Sequence, residues 1–172
     1  MPQDEKIRVL LIEDNPVDIE WVKSSLEEFG QKSFQLDCVK SLEEGMERLS
    51  RNGYEVLLLD LSLPDSSGYE TFERVMAEYR RLPLVVCSVT DNEELAIRAV
   101  QQGAQDYLVK GTMDSRILPR VIRYAIERKK IQEELRKRTE ELERVNKIMV
   151  ERELKMMQLK KEMELLKKHD DH

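Results

Sequence analysis

Four of the short apolar runs in this 172-residue chain end on side chains able to do polar chemistry. Glu13 and Asp14 follow the first run, Asp60 closes "VLLLD", Ser88 closes "LVVCS", and Lys110 follows "DYLV". Three carboxylates brought together repel by roughly 1–4 kcal/mol per pair, depending on the local dielectric, so a cation must accompany them. Hard oxygen ligands in small number suit Mg2+ with several waters retained. A lysine is a poor ligand for that ion but a good counterion for a phosphoryl group, and a serine hydroxyl can donate to a phosphoryl oxygen. A carboxylate nucleophile, a divalent cation and donors aimed at the equatorial oxygens are what phosphoryl transfer to an aspartate requires.

For these residues to meet, the elements carrying them must end on one rim. Residues 1–111 alternate short apolar runs with amphipathic helical patterns, as parallel strands joined by crossover helices do. The pattern predicts strands at Ile7–Ile12, Phe34–Val39, Tyr54–Asp60, Leu84–Ser88 and Asp106–Val109. Helix starts are expected at Asn15 with Pro16, at Ser41 with Glu44, and at Asp91 with Glu94. Ile19, Val22 and Leu26 share one helical face, as do Leu95, Ala99 and Val100, and both read as core stripes. The expected fold class is α/β, a doubly wound five-stranded parallel sheet in the order 2-1-3-4-5, flavodoxin-like. Such a sheet binds ligands beyond the carboxyl ends of its strands, where all five polar residues fall.

Through "VLLIEDNPVD", "VLLLDLSLPDSSG", "PLVVCSVTDNEE" and "GAQDYLVKG", residues 6–127 resemble the receiver domain of two-component response regulators. The resemblance implies that Asp60 is the phosphoacceptor, forming a 4-aspartylphosphate. It implies that Glu13 and Asp14 hold Mg2+ together with Asp60 and the backbone carbonyl of Ser62. Ser88 then matches the switch hydroxyl, Lys110 the phosphate-binding lysine, Tyr107 the aromatic that follows the hydroxyl, and Thr90 a position tuning access of attacking water. One departure is Gly111, where the family usually has proline; glycine can supply unusual backbone geometry without that ring.

Beyond Gly111 the composition changes. Residues 1–111 carry 12 Lys+Arg against 22 Asp+Glu, and residues 112–172 carry 17 against 13. The acidic first part argues against direct nucleic-acid binding, and the basic tail, alternating in sign, reads as a solvated helix surface. Asp114 or Ser115 is expected to cap a helix running to Lys168, about 54 residues and roughly 80 Å long, with Pro119 in its first turn. A heptad threads it: Leu135, Leu142, Met149, Met156 and Met163 at one seam position, and Ile131, Val145, Leu159 and Leu166 at the other, with Arg138 and Arg152 as exceptions. Glu133–Lys137, Glu134–Arg138, Glu140–Arg144 and Glu143–Lys147 are spaced for helix-surface ion pairs. A homodimer through this helix is expected, dividing the chain into a receiver (1–127) and a coiled-coil extension (128–172).

No leader-like or membrane-spanning run is present, and Cys38 and Cys87 sit in strand-like runs without metal spacing, so a cytoplasmic protein with reduced thiols is expected. An aspartate-nucleophile phosphohydrolase would need a second Asp where Ser62 stands. A flavin or dinucleotide site would need a glycine- or hydroxyl-rich loop where "EDNPVD" stands. His169 and His172, the only histidines, read as a solvated end, not as a kinase. The expected function is therefore signalling and not enzymatic turnover. A histidine kinase or phosphotransfer protein phosphorylates Asp60, and the change passes to the dimerising helix. The alternatives are an unswitched scaffold, or the N-terminal segment of a larger signalling protein.

Overall fold

The computed structural model describes residues 6–29, 33–51, 53–89, 92–112 and 114–170. Its elements run β1 (Ile7–Ile12), α1 (Pro16–Phe29), β2 (Phe34–Val39), α2 (Leu42–Arg51), β3 (Val56–Asp60), β4 (Ser62–Leu63), β5 (Ser66–Ser67), α3 (Tyr69–Tyr79), β6 (Leu84–Ser88), α4 (Glu93–Gln101), β7 (Asp106–Val109) and α5 (Leu118–Asp170). Five strands form a parallel sheet in the order β2-β1-β3-β6-β7, and β4 pairs antiparallel with β5 in a small hairpin beyond Asp60. With that hairpin set aside, the order is the 2-1-3-4-5 expected for a flavodoxin-like fold.

Successive side chains on a strand point to opposite faces, and here both faces are covered. Leu10, Ile12, Leu57, Leu59 and Val86 pack with Leu42, Phe72, Val75 and Ala99 of α2, α3 and α4. Val9, Leu11, Val56, Leu58 and Val85 pack with Val22 and Leu26 of α1 and with Leu118, Ile122 and Ala125 of α5. Each fully buried Leu or Ile contributes about 2 kcal/mol of hydrophobic stabilisation before entropy is counted. That double cover explains why β3 reads as an unbroken apolar run up to Asp60.

Several boundaries differ from the sequence expectation. β3 starts at Val56, because Tyr54 is held outside the ladder: its hydroxyl donates to Asp37 Oδ2 at 2.7 Å, and Arg8 lies over its ring. Asn15 and Ser41 cap as expected, accepting from the backbone N–H of Val17 and Glu44. The cap of α4 is Asn92, whose Oδ1 accepts from Leu95 N at 3.0 Å; Asp91 lies outside the described residues. Leu95 and Ala99 face the core, but Val100 is exposed, a residue further round the helix than the stripe. α5 begins at Leu118, three residues later than Ser115, because Asp114 spends its Oδ1 on the N–H of Arg116 in a local turn.

The chain divides into two compact units, Met1–Lys130 and Ile131–His172, and α5 runs through the division as one helix of 53 residues. In the second unit every seam residue from Ile131 to Leu166 is exposed, up to 70% for Leu142. Arg136 meets both Glu133 and Glu140, taking the partners that spacing had assigned to Lys137 and Arg144. Cys38 and Cys87 are free thiols, and burial pushes Cys87 up to about 12. Among the described residues no helix is long and apolar enough to cross a membrane.

Candidate functional site

Parallel register brings the ends of β1 and β3 side by side, since Ile12 pairs with Leu59. The next residue along β1 is Glu13, 1% exposed, and the next along β3 is Asp60, 3% exposed. Asp14 follows on the exposed side. Glu13, Asp14 and Asp60 each offer a carboxylate oxygen lying within 4.8 Å of the others. Few carboxylates with an open, solvent-facing side match the donor set of Mg2+.

The cation that three acids demand is Lys110. Its backbone is fixed first: the Lys110 N–H donates to the Ser88 carbonyl at 2.8 Å, continuing the β6–β7 ladder by one rung. Gly111 then turns the chain at φ 80°, in the left-handed region that favours glycine. The Lys110 side chain is 8% exposed, and its ammonium donates to Glu13 Oε2 and to Asp18 Oδ2 at 3.1 Å, and lies 3.3 Å from Asp60 Oδ2. Burial works to lower the Lys110 pKa, but the hydrogen bond that its ammonium donates to Glu13 and the charges of Asp60 and Glu13 outweigh it and leave it raised. Burial dominates at Glu13 and raises its carboxyl above the ordinary value, despite Lys110 and the N–H of Asn15 donating to it.

One polar atom is left over. Asp60 Oδ1 is the single buried side-chain oxygen among the described residues with no hydrogen-bond partner. Leaving a buried carboxylate oxygen unsatisfied costs about 1–3 kcal/mol or more, so it marks a place where a ligand belongs.

The other expected residues sit around this centre. Ser88 is buried at the end of β6, beside β3, where Cys87 pairs with Asp60. Tyr107 is half-buried on β7; the register pairs Val86 with Tyr107 and Ser88 with Val109, so Ser88 and Tyr107 fall on one face of the sheet. Ser62 opens β4 two residues past Asp60, its side chain exposed and its backbone paired with Ser67. Thr90 lies outside the described residues.

Two carboxylates at this end of the sheet were not singled out from sequence. Asp18, in the first turn of α1, reaches Lys110 across 92 positions of sequence. Asp65, in the β4–β5 turn, accepts from the backbone N–H groups of Leu42 and Glu43 at 2.9 Å each, tying the loop after Asp60 to the start of α2. Desolvation opposes it, but those N–H donors lower the Asp65 pKa below its ordinary value. The available hints were an acid in the first turn of α1 and two orphan N–H groups at the start of α2.

Known proteins resemble this arrangement. Transcriptional regulatory protein HprR of Escherichia coli K12 is 30% identical over 115 residues, 67% of this chain and 50% of HprR. The cell cycle response regulator CtrA of Brucella ovis is 31% identical over 115 residues, 67% of this chain and 48% of CtrA. The chain thus spans about half the length of the curated relatives it matches. A CheY-like response regulator receiver domain from Methanospirillum hungatei superposes with a TM-score of 0.64 at 19% identity, over 74% of this chain and 99% of that one, which bears on the fold alone. The family model for the response regulator receiver domain matches residues 9–122, from within β1 into the start of α5 and including Glu13, Asp14, Asp60, Ser88 and Lys110, and the chain belongs to that family of two-component signalling proteins.

Proposed function

We propose that Asp60 is a phosphoacceptor and that the chain works as a Mg2+-dependent phosphorylation switch with its output through α5. The observation carrying this reading is the buried, unpartnered Asp60 Oδ1 beside an acidic pair and a lysine. Asp60 Oδ1 attacks the phosphorus of a phosphohistidine on a partner kinase or phosphotransfer protein. The new O–P bond forms as the P–N bond breaks, and the imidazole leaves with the electron pair and takes up a proton from solvent. Glu13, Asp14, Asp60 and the Ser62 carbonyl would hold Mg2+, which when bound supplies positive charge against the phosphoryl oxygens. Lys110 donates to one phosphoryl oxygen and the Ser88 hydroxyl to another, and Tyr107, on the same face as Ser88, follows the hydroxyl's movement.

In this reading residues 1–127 are the receiver and 128–172 the extension. The exposed seam from Ile131 to Leu166 supports a homodimer through α5, since a stripe sustained over five heptads is otherwise left in water. The test is sedimentation of the full chain with and without Mg2+ and beryllofluoride, a phosphoryl mimic, beside Asp60→Asn. The wild type is expected to change mass or shape on adding both, and Asp60→Asn is expected not to respond. A wild type that binds neither ion nor mimic refutes the phosphoacceptor assignment. A dimer whose mass, shape and partner binding are the same in every condition supports the second reading, an unswitched dimerisation module, which the same exposed seam favours.

A further inference from the structure

We infer that Asp18 is a positioning residue for the phosphoryl site, one that holds the Lys110 ammonium toward α1 and competes with an incoming phosphoryl group for it. The inference rests on the phosphoacceptor reading of Asp60. Lysine has three N–H donors, and here three carboxylates surround them: Glu13, Asp18 and Asp60. Glu13 and Asp60 also belong to the set of oxygens arranged for a metal ion, whereas Asp18 does not. When positive charge occupies that set, Glu13 and Asp60 share their charge between it and Lys110, but Asp18 keeps its full hold. Lys110 is therefore drawn between Asp18 and whatever sits on Asp60. Asp18 is held at this spot by its place in the first turn of α1, a rigid element whose N-terminal end favours an acid.

Asp18 acts against the phosphoryl group in a second way. Its Oδ2 lies no more than two ion-pair lengths from Asp60 Oδ2, about 6 Å, close enough for one negative charge to oppose others in a half-buried site. Both effects have the same sign for an anionic ligand and the opposite sign for a cation. Asp18 should favour Mg2+ and disfavour the phosphoryl mimic. A residue that merely held α1 in place would move both affinities in the same direction.

The experiment is calorimetric titration of the full chain, first with Mg2+ and then with beryllofluoride at saturating Mg2+. It compares wild type, Asp18→Asn and Glu20→Gln, the last removing an exposed charge from the same helix. Asp18→Asn is expected to bind Mg2+ two- to threefold more weakly and beryllofluoride on the order of tenfold more tightly. Glu20→Gln is expected to stay within about twofold of wild type for both. An Asp18→Asn that binds beryllofluoride no more tightly than wild type, or shifts both affinities the same way, overturns the inference while leaving the Asp60 assignment intact. A wild type that takes up no beryllofluoride overturns both.

Discussion

Replacing Lys110 by methionine tests whether one cation holds the acidic rim together, because the variant keeps most of the apolar stem and removes only the charge. At the observed 3.3 Å between Nζ and Asp60 Oδ2, a pair of unit charges is worth about 5 kcal/mol at an effective dielectric near 20. Desolvation of the lysine offsets part of that. What remains after substitution is Glu13, 1% exposed, and Asp60, 3% exposed, facing each other without a counterion. Breaking a buried pair from one side costs about 3–5 kcal/mol, and the exposed Asp14 edge, which admits water, favours the lower end. Lys110→Met is therefore expected to lose about 3 kcal/mol in urea unfolding at neutral pH, a large part of the 5–15 kcal/mol typical of a domain. The loss should shrink as pH falls, because Glu13 already titrates above its ordinary value and protonation removes one of the opposed charges. Added Mg2+ should recover part of it, since the freed carboxylates bind the ion in place of the ammonium. Wild-type stability in Lys110→Met, with no dependence on Mg2+, would refute the claim that Lys110 is the counterion these acids require.

Other outcomes follow from neighbouring contacts. Asp65→Ala removes the acceptor for two N–H groups at the start of α2 and should cost about 1 kcal/mol, read by thermal or urea unfolding. Because the folded-state pKa of Asp65 lies below its unfolded value, its contribution is complete above the unfolded value near 4 and disappears as pH falls through the folded one; the gap between wild type and variant should close there. Gly103→Ala should destabilise by about 1–3 kcal/mol, since φ is 116° and a Cβ would stand 2.7 Å from Met76 Cε. Arg138→Leu with Arg152→Leu removes the two charges from the seam of α5 and should tighten self-association by tenfold or more in a sedimentation dilution series; unchanged or weaker association would rule out the assigned heptad.

The sheet could be read from sequence because its central strands β1, β3 and β6 are covered on both faces, so Leu57–Asp60 appears as an apolar run with one carboxylate at its end. Topology then placed Glu13, Asp14, Asp60 and Lys110 on one rim without further information. What remained hidden was contact made across the chain. Asp18 looks like any acid in the first turn of a helix until β7 carries Lys110 back to it, and Asp65 looks like a turn residue until α2 presents two N–H groups to it. Local spacing also misplaced the start of α5, since Asp114 binds Arg116 in a turn of its own and leaves the helix to begin at Leu118.

These hidden contacts change how the departure at Gly111 is understood. Beside Lys110, proline would fix the backbone through its ring; here φ is 80° and the backbone is set from one side by the Lys110–Ser88 hydrogen bond. The side chain is set from the other side by Asp18 and Glu13. With glycine supplying the turn, carboxylates on α1 and β1 can do the work of aiming the lysine. The lysine's position then depends on charge more than on backbone stiffness. In the proposed reading, a site aimed by charge would respond to a new anion on Asp60, because the contacts that hold Lys110 are the ones a phosphoryl group would displace.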